Sequence, residues 1–128
     1  MAYTIDRTIT GATMNDVEVR TRAALADASF GVLTEIDVKA TMKKKIDKDM
    51  GGYLILGACN PMMAWQAIGF EPKVGAMLPC NVILRETDAG IEVSAVDPQA
   101  SMAGIKNGDL QGVAGQVRDM LRDVVAAI

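Results

Sequence analysis

The 128-residue chain contains no histidine. Histidine is the side chain that titrates nearest neutrality and the commonest metal ligand. Its absence excludes Ser-His-Asp and Cys-His catalysis within one chain, and histidine-based zinc sites with them. Aromatic residues are scarce: one Trp, two Tyr and two Phe. The core must therefore come from aliphatic side chains and from the 9 methionines. Only 2 cysteines are present, which rules out a disulfide-stapled scaffold. A basic surface is missing too. Lys and Arg number 13 against 16 Asp and Glu, a net charge of −3 with the signs interspersed. That excludes the basic face that nucleic-acid binding needs. The one basic run, Lys43-Lys44-Lys45, is short and followed by Asp47 and Asp49. It reads as a solvated helix face, not a phosphate or membrane site.

Long apolar runs are lacking as well. None approaches the ~20 residues that span a bilayer. The opening Met-Ala-Tyr-Thr-Ile-Asp-Arg has no charged leader followed by an apolar stretch, so no secretory signal is expected. No phosphate loop is found, since Gly51-Gly52 lacks the lysine and the spacing of one. These absences predict a cytoplasmic protein with reduced thiols and no nucleic-acid or membrane partner.

What is present suits one domain over 1–128 with a core of its own. Residues 3–9 alternate, with Tyr3, Ile5, Arg7 and Ile9 on one side, and predict a half-buried strand. Thr13, with Asp16 three residues on, is a short capping-box signal. Met14, Val17, Thr21, Leu25 and Ala28 then predict a helix over about 13–28. A strand is expected at 31–38, with Val32, Thr34, Ile36 and Val38 on one side and Leu33, Glu35 and Asp37 on the other. A short helix follows at about 39–47. Residues 53–58 are apolar nearly throughout and read as a central strand buried on both faces.

Asn60-Pro61 marks a helix start, because Asn caps well and Pro loses nothing at the first helical position. That helix is expected to end near 68, ahead of Gly69 and Pro72. Strands at 76–86 and 91–97 are joined by the turn Thr87-Asp88-Ala89-Gly90. Asp97-Pro98 opens a short helical piece containing Met102. Leu110, Val113, Val117, Leu121, Val124 and Ile128 predict an amphipathic helix over about 109–127. The order predicts an α+β fold: an antiparallel-rich sheet with helices packed on one face.

The segments Gly31-Val-Leu-Thr-Glu-Ile-Asp-Val-Lys-Ala-Thr41, Ile55-Leu-Gly-Ala-Cys-Asn-Pro61 and Leu78-Pro-Cys-Asn-Val82, with Ser94-Ala-Val-Asp-Pro98, resemble a known family. It is the bacterial and archaeal family catalogued as domain of unknown function 302. The resemblance covers about residues 3–127. It implies a curved antiparallel sheet with helices against one side, similar to TATA-binding-protein-like folds, and a small homodimer. It implies no activity. Met62-Met63 departs from the family pattern, which is variable there and often carries Pro or Leu, so no family role passes to these methionines.

The chemically suggestive residues are the two Cys-Asn pairs. Cys59 stands just before a helix start, where unpaired N–H groups and the positive end of the macrodipole stabilise a thiolate. Cys80 follows Pro79 at the start of a strand. Asn60 and Asn81 offer amide donors and acceptors. Two thiols brought together can form a reversible disulfide, bind a soft metal or hold a small ligand. Met62, Met63 and Met77 lie near in sequence. The candidate metal set is Cys59, Cys80 and Met62, and thiolate with thioether favours Cu(I). Zinc would need four cysteines gathered at a dimer axis. The competing reading makes both cysteines small buried hydrophobes, and their spacing matches no recognised metal motif.

Glu35 and Asp37 alternate on a strand as a candidate acid/base pair or as plain solvated carboxylates. Trp65 either covers the cysteine region or anchors its helix to the sheet. The expectation is a non-catalytic small-ligand or soft-metal binding module, or a thiol-redox one, centred on Cys59, Asn60, Cys80 and Asn81. The alternative is a dimeric structural or protein-interaction domain. An enzyme with Cys59 as nucleophile ranks below both, because it would need Glu, Asp, Lys or a second thiol as base.

Overall fold

A computed structural model describes residues 2–128. Its elements run β1 (Thr4–Ile9), α1 (Met14–Asp27), β2 (Gly31–Asp37), α2 (Val38–Ile46), β3 (Tyr53–Cys59), α3 (Pro61–Phe70), β4 (Cys80–Thr87), β5 (Gly90–Val96), α4 (Pro98–Ser101) and α5 (Gly108–Ala127). The sheet has the order β1-β5-β4-β3-β2, and every neighbouring pair is antiparallel. It is an open α+β sheet, as the sequence predicts. α1 packs on β2 and β4, α5 packs on β1 and β5, and the two helices meet. No helix among the described residues is long and apolar enough to cross a membrane.

Local chemistry explains most element ends. Thr13 Oγ1 accepts from the Asp16 N–H, and Asp16 accepts in return from the Thr13 N–H, closing a capping box on α1. The β4–β5 hairpin turns through Asp88-Ala89 and rejoins the ladder at Gly90, where φ is 140°. A Cβ there would also run into the Ile9 carbonyl, so only glycine fits. Arg7 on β1 reaches the last turn of α5 and donates to the carbonyls of Val125, Ala126 and Ile128. A cation at a helix C-terminus satisfies orphan carbonyls and opposes the negative end of the dipole.

Register sorts the sheet into two faces, because residues paired across antiparallel strands share a face. Leu54, Leu56 and Ala58 pair with Leu84, Val82 and Cys80, and Val82 and Leu84 pair with Ala95 and Val93. All of these are buried. The other face carries Ile36, Ile55, Ile83 and the Arg85–Glu92 ion pair at 2.8 Å.

Three expectations are corrected. The central strand is β4, not β3, and β3 is fully covered on one face only. Tyr53 and Ile55 are half-buried on the open face. The run reads as continuous because the open-face neighbours Ile36 and Ile83 are themselves apolar. The strand predicted at 76–86 begins at Cys80. Pro72–Met77 forms a 3-10 turn around buried Val74, and a cis Leu78–Pro79 peptide leads into β4. Proline has no N–H for the ladder, so pairing starts after it. Finally, β2 does not alternate strictly. A bulge lies between Val32, which pairs with Ala58, and Thr34, which pairs with Gly57. One extra residue moves Glu35 and Asp37 to the same face as Val32. There Glu35 accepts from Arg22 of α1 at 2.7 Å, and Asp37 caps α2 by accepting from the Ala40 N–H at 2.9 Å. Each carboxylate has a structural partner, and the two do not form an acid/base pair.

Candidate functional site: a sulfur-lined cavity

The site is built where β3 hands over to α3. Asn60 is the N-cap, its Oδ1 accepting from the Met63 N–H at 3.2 Å, and Pro61 occupies the first helical position. That cap sets the rotation of α3, which buries Ala67 and brings Met63 and Ala64 inward beside it. Opposite stands α5, with Leu110, Val113 and Val117. Between them lies a cavity walled also by Cys59, Cys80 and Met102. Four sulfur-bearing residues from three separate stretches of chain thus line one space. Apart from them, the one polar side chain on its wall is Asn60.

The cavity is small. The space open to the centre of a water molecule is about 30 Å³. One water needs roughly 10–15 Å³ on that measure. Pockets for organic ligands run to about 300 Å³ and more. The volume open to water centres would hold an ion or a pair of waters.

Cys80 lies opposite Ala58 in the ladder, one residue from Cys59. Both cysteines are free, Cys59 half-buried and Cys80 buried. Burial pushes the Cys80 thiol up from 9.0 to about 11, and the neighbouring Cys59 sulfur adds to the shift. Ionising Cys80 puts charge into a low-dielectric wall beside a second potential thiolate. Cys80 is therefore a neutral thiol at physiological pH.

The structure separates the sequence-predicted site residues. Cys59, Asn60 and Cys80 come together on the cavity wall. Asn81 does not join them: it pairs with Gly57 and is exposed on the open face of the sheet. Met62 lies on the outer side of α3, exposed, and Met77 is exposed as well. The methionines at the cavity are Met63 and Met102. One step along a helix turns the side chain by about 100°, so neighbours in sequence face different surroundings. α3 carries Gln66 as its one polar side chain and so gives no polar stripe by which to orient it. Trp65 neither covers the cysteines nor anchors α3, for it is 78% exposed on the outer side. Among the described residues, no three His, Cys, Asp or Glu side chains converge to hold a metal. The donors available at the cavity are two thiols and two thioethers, a set that selects soft ions.

Comparison with curated proteins finds no match. A similar solved structure is the crystal structure of an uncharacterized conserved DUF302 protein from Bacillus stearothermophilus. The two chains are 20% identical, with a TM-score of 0.93 over 99% of this chain and 98% of that one. At that identity the likeness establishes a shared fold. The family profile described as Domain of unknown function DUF302 matches residues 5–128. With nearly the whole sequence matched, the chain belongs to the DUF302 family.

Proposed function

We propose that this chain is a non-catalytic binding module for a soft monovalent metal ion, with Cu(I) the best fit. The observation that carries the proposal is the convergence of Cys59, Cys80, Met63 and Met102 on one cavity of about 30 Å³. Thiolate and thioether sulfur favour Cu(I) over harder ions. Charge balance points the same way. Cu(I) with one thiolate is neutral, and a neutral centre costs least in an apolar wall. The methionine thioethers add no charge, and each cysteine that binds the ion does so as a thiolate, releasing its proton to solvent. A divalent ion would need both cysteines as thiolates to be neutralised, and the wall offers it no carboxylate. Thiol redox is the weaker use of the same pair, because a thiol held near 11 is both a poor nucleophile and a poor leaving group.

The test is an anaerobic titration of the reduced protein with Cu(I) against a chromogenic competing chelator. One equivalent should be withdrawn from the chelator, with thiolate-to-metal absorption in the near ultraviolet. The Cys59→Ser/Cys80→Ser double variant should withdraw none. Full uptake by that variant, or none by the wild type, refutes the proposal.

A further inference from the structure

The cavity reaches solvent on one side. Of its wall residues, Cys59, Asn60, Met63, Ala64 and Leu78 are half-buried, and the rest are buried. The first four belong to the end of β3 and the first turn of α3, and Leu78 leads into β4. This group is the mouth, and the far wall is α5 with Met102. The sulfur donors are therefore graded in depth. Cys59 and Met63 stand at the mouth, while Cys80 is only 7% exposed and Met102 only 4%.

The mouth is also free of charge. No charged residue occurs from Tyr53 to Phe70, nor from Val74 to Leu84. A hydrated cation arriving alone would shed water with no carboxylate in the rim to replace it, which is costly. An ion already held by sulfur meets no such cost, and the rim offers it sulfur of the same softness. A carrier sulfur can approach half-buried Cys59, whereas burial denies it contact with Cys80.

We infer that the site is loaded by ligand exchange at this mouth, from Cu(I) carried as a thiolate complex, with Cys59 and Met63 acquiring the ion and Cys80 and Met102 retaining it. This route rests on the metal reading above and adds a source and a direction to it. In the first step a bond forms from the Cys59 sulfur to copper, and the bond from copper to the carrier sulfur breaks. The Cys59 proton leaves on the carrier, which departs as a free thiol. No electron changes hands, and copper stays Cu(I). In the second step the ion moves inward. The Met102 thioether adds without charge, and Cys80 binds as a thiolate, releasing its proton to solvent.

The experiment splits affinity into its two rates. Reduced protein is mixed anaerobically with Cu(I)–glutathione, and copper per chain is measured after rapid desalting at set times. Release is then followed into an excess of chromogenic chelator. Cys59→Ser should slow loading by about tenfold or more, while Cys80→Ser should leave loading within about twofold and speed release by about tenfold or more. Met63→Leu is the second variant should Cys59→Ser fail to fold, and its loss should also fall on loading. Iodoacetamide on the metal-free protein reads the same order of depth without copper, and Cys59 should be modified before Cys80. Equal slowing of loading by the two cysteine substitutions, with wild-type uptake intact, overturns the route and leaves the metal site standing. So does alkylation of Cys80 as fast as that of Cys59. A wild type that holds no Cu(I) in the equilibrium titration removes the site and the route with it.

Discussion

The two Cys-Asn pairs are the same dipeptide in opposite roles. Cys59-Asn60 sits where a strand ends and a helix begins. There the chain turns, Asn60 caps α3, and both residues reach the cavity wall. Cys80-Asn81 opens a strand. Consecutive strand residues point to opposite faces, so burying Cys80 sends Asn81 to the open side. A strand-to-helix junction can aim two successive side chains at one site, and the interior of a strand cannot. The cysteines are brought together not by their shared neighbour but by the register Ala58 opposite Cys80.

The largest expected effect breaks the pair at the metal. Cys59→Ser or Cys80→Ser should each lower Cu(I) affinity by about 1,000-fold, roughly 4 kcal/mol. Met63→Leu should cost about tenfold. Met62→Leu, on the other side of the same helix, should change nothing. Equal losses for Met62→Leu and Met63→Leu in competition titrations would show that the wall assignment is wrong.

The next effect separates Cys80 by pH. Its pKa is raised in the folded state from 9.0 to about 11. Below pH 9 the thiol is protonated both folded and unfolded, and stability is undiminished. Between pH 9 and 11 the unfolded chain releases its proton first, so folding stability falls as pH rises. Two pKa units amount to about 3 kcal/mol. Denaturant titrations from pH 8 to 11 should show that fall in wild type, and Cys80→Ala should lack this part of it. An identical slope in the variant would mean that Cys80 is not held in a dry wall.

How much of this was legible in the sequence follows from which faces the chain covers. α5 and the β4–β5 hairpin are plain because each has one covered and one open side, and the apolar period reports it. The caps Thr13, Asn60 and Asp97 are plain because their chemistry is local. α3 was legible as a helix but not in its rotation, since both of its faces are apolar. Met63 and Met102 therefore could not be told from Met62 and Met77. The Leu33 bulge and the turn at Pro72–Met77 depend on pairing between distant segments, which no short window contains. The convergence of Cys59 and Cys80 is likewise a matter of strand register.

A third, smaller effect tests the register itself. Gly57 lies opposite Asn81, and a Cβ at Gly57 would overlap Thr34 and come within 2.7 Å of Pro79 Cγ. The glycine lets Pro79 lean onto β3 and so sets where β4 and Cys80 begin. Gly57→Ala should cost about 2 kcal/mol by overpacking. It should also raise the native alkylation rate of Cys80 as the start of β4 shifts. Loss of stability with no change in Cys80 reactivity would detach the glycine from the site.

The smallest effect compares the asparagines directly. Asn60 gives α3 its N-cap bond to the Met63 N–H. Losing such a cap costs about 1 kcal/mol, so Asn60→Ala should lower the unfolding free energy by that amount. Asn60→Asp should recover most of it, since a carboxylate also caps and favours the positive helix end. Asn81 is exposed on the sheet, and exposed substitutions generally fall within about 0.5 kcal/mol. Denaturant midpoints for Asn60→Ala and Asn81→Ala should therefore separate clearly. If they coincide at a substantial loss, Asn81 has a partner that one chain does not supply, and the open face of the sheet becomes a surface to be explained.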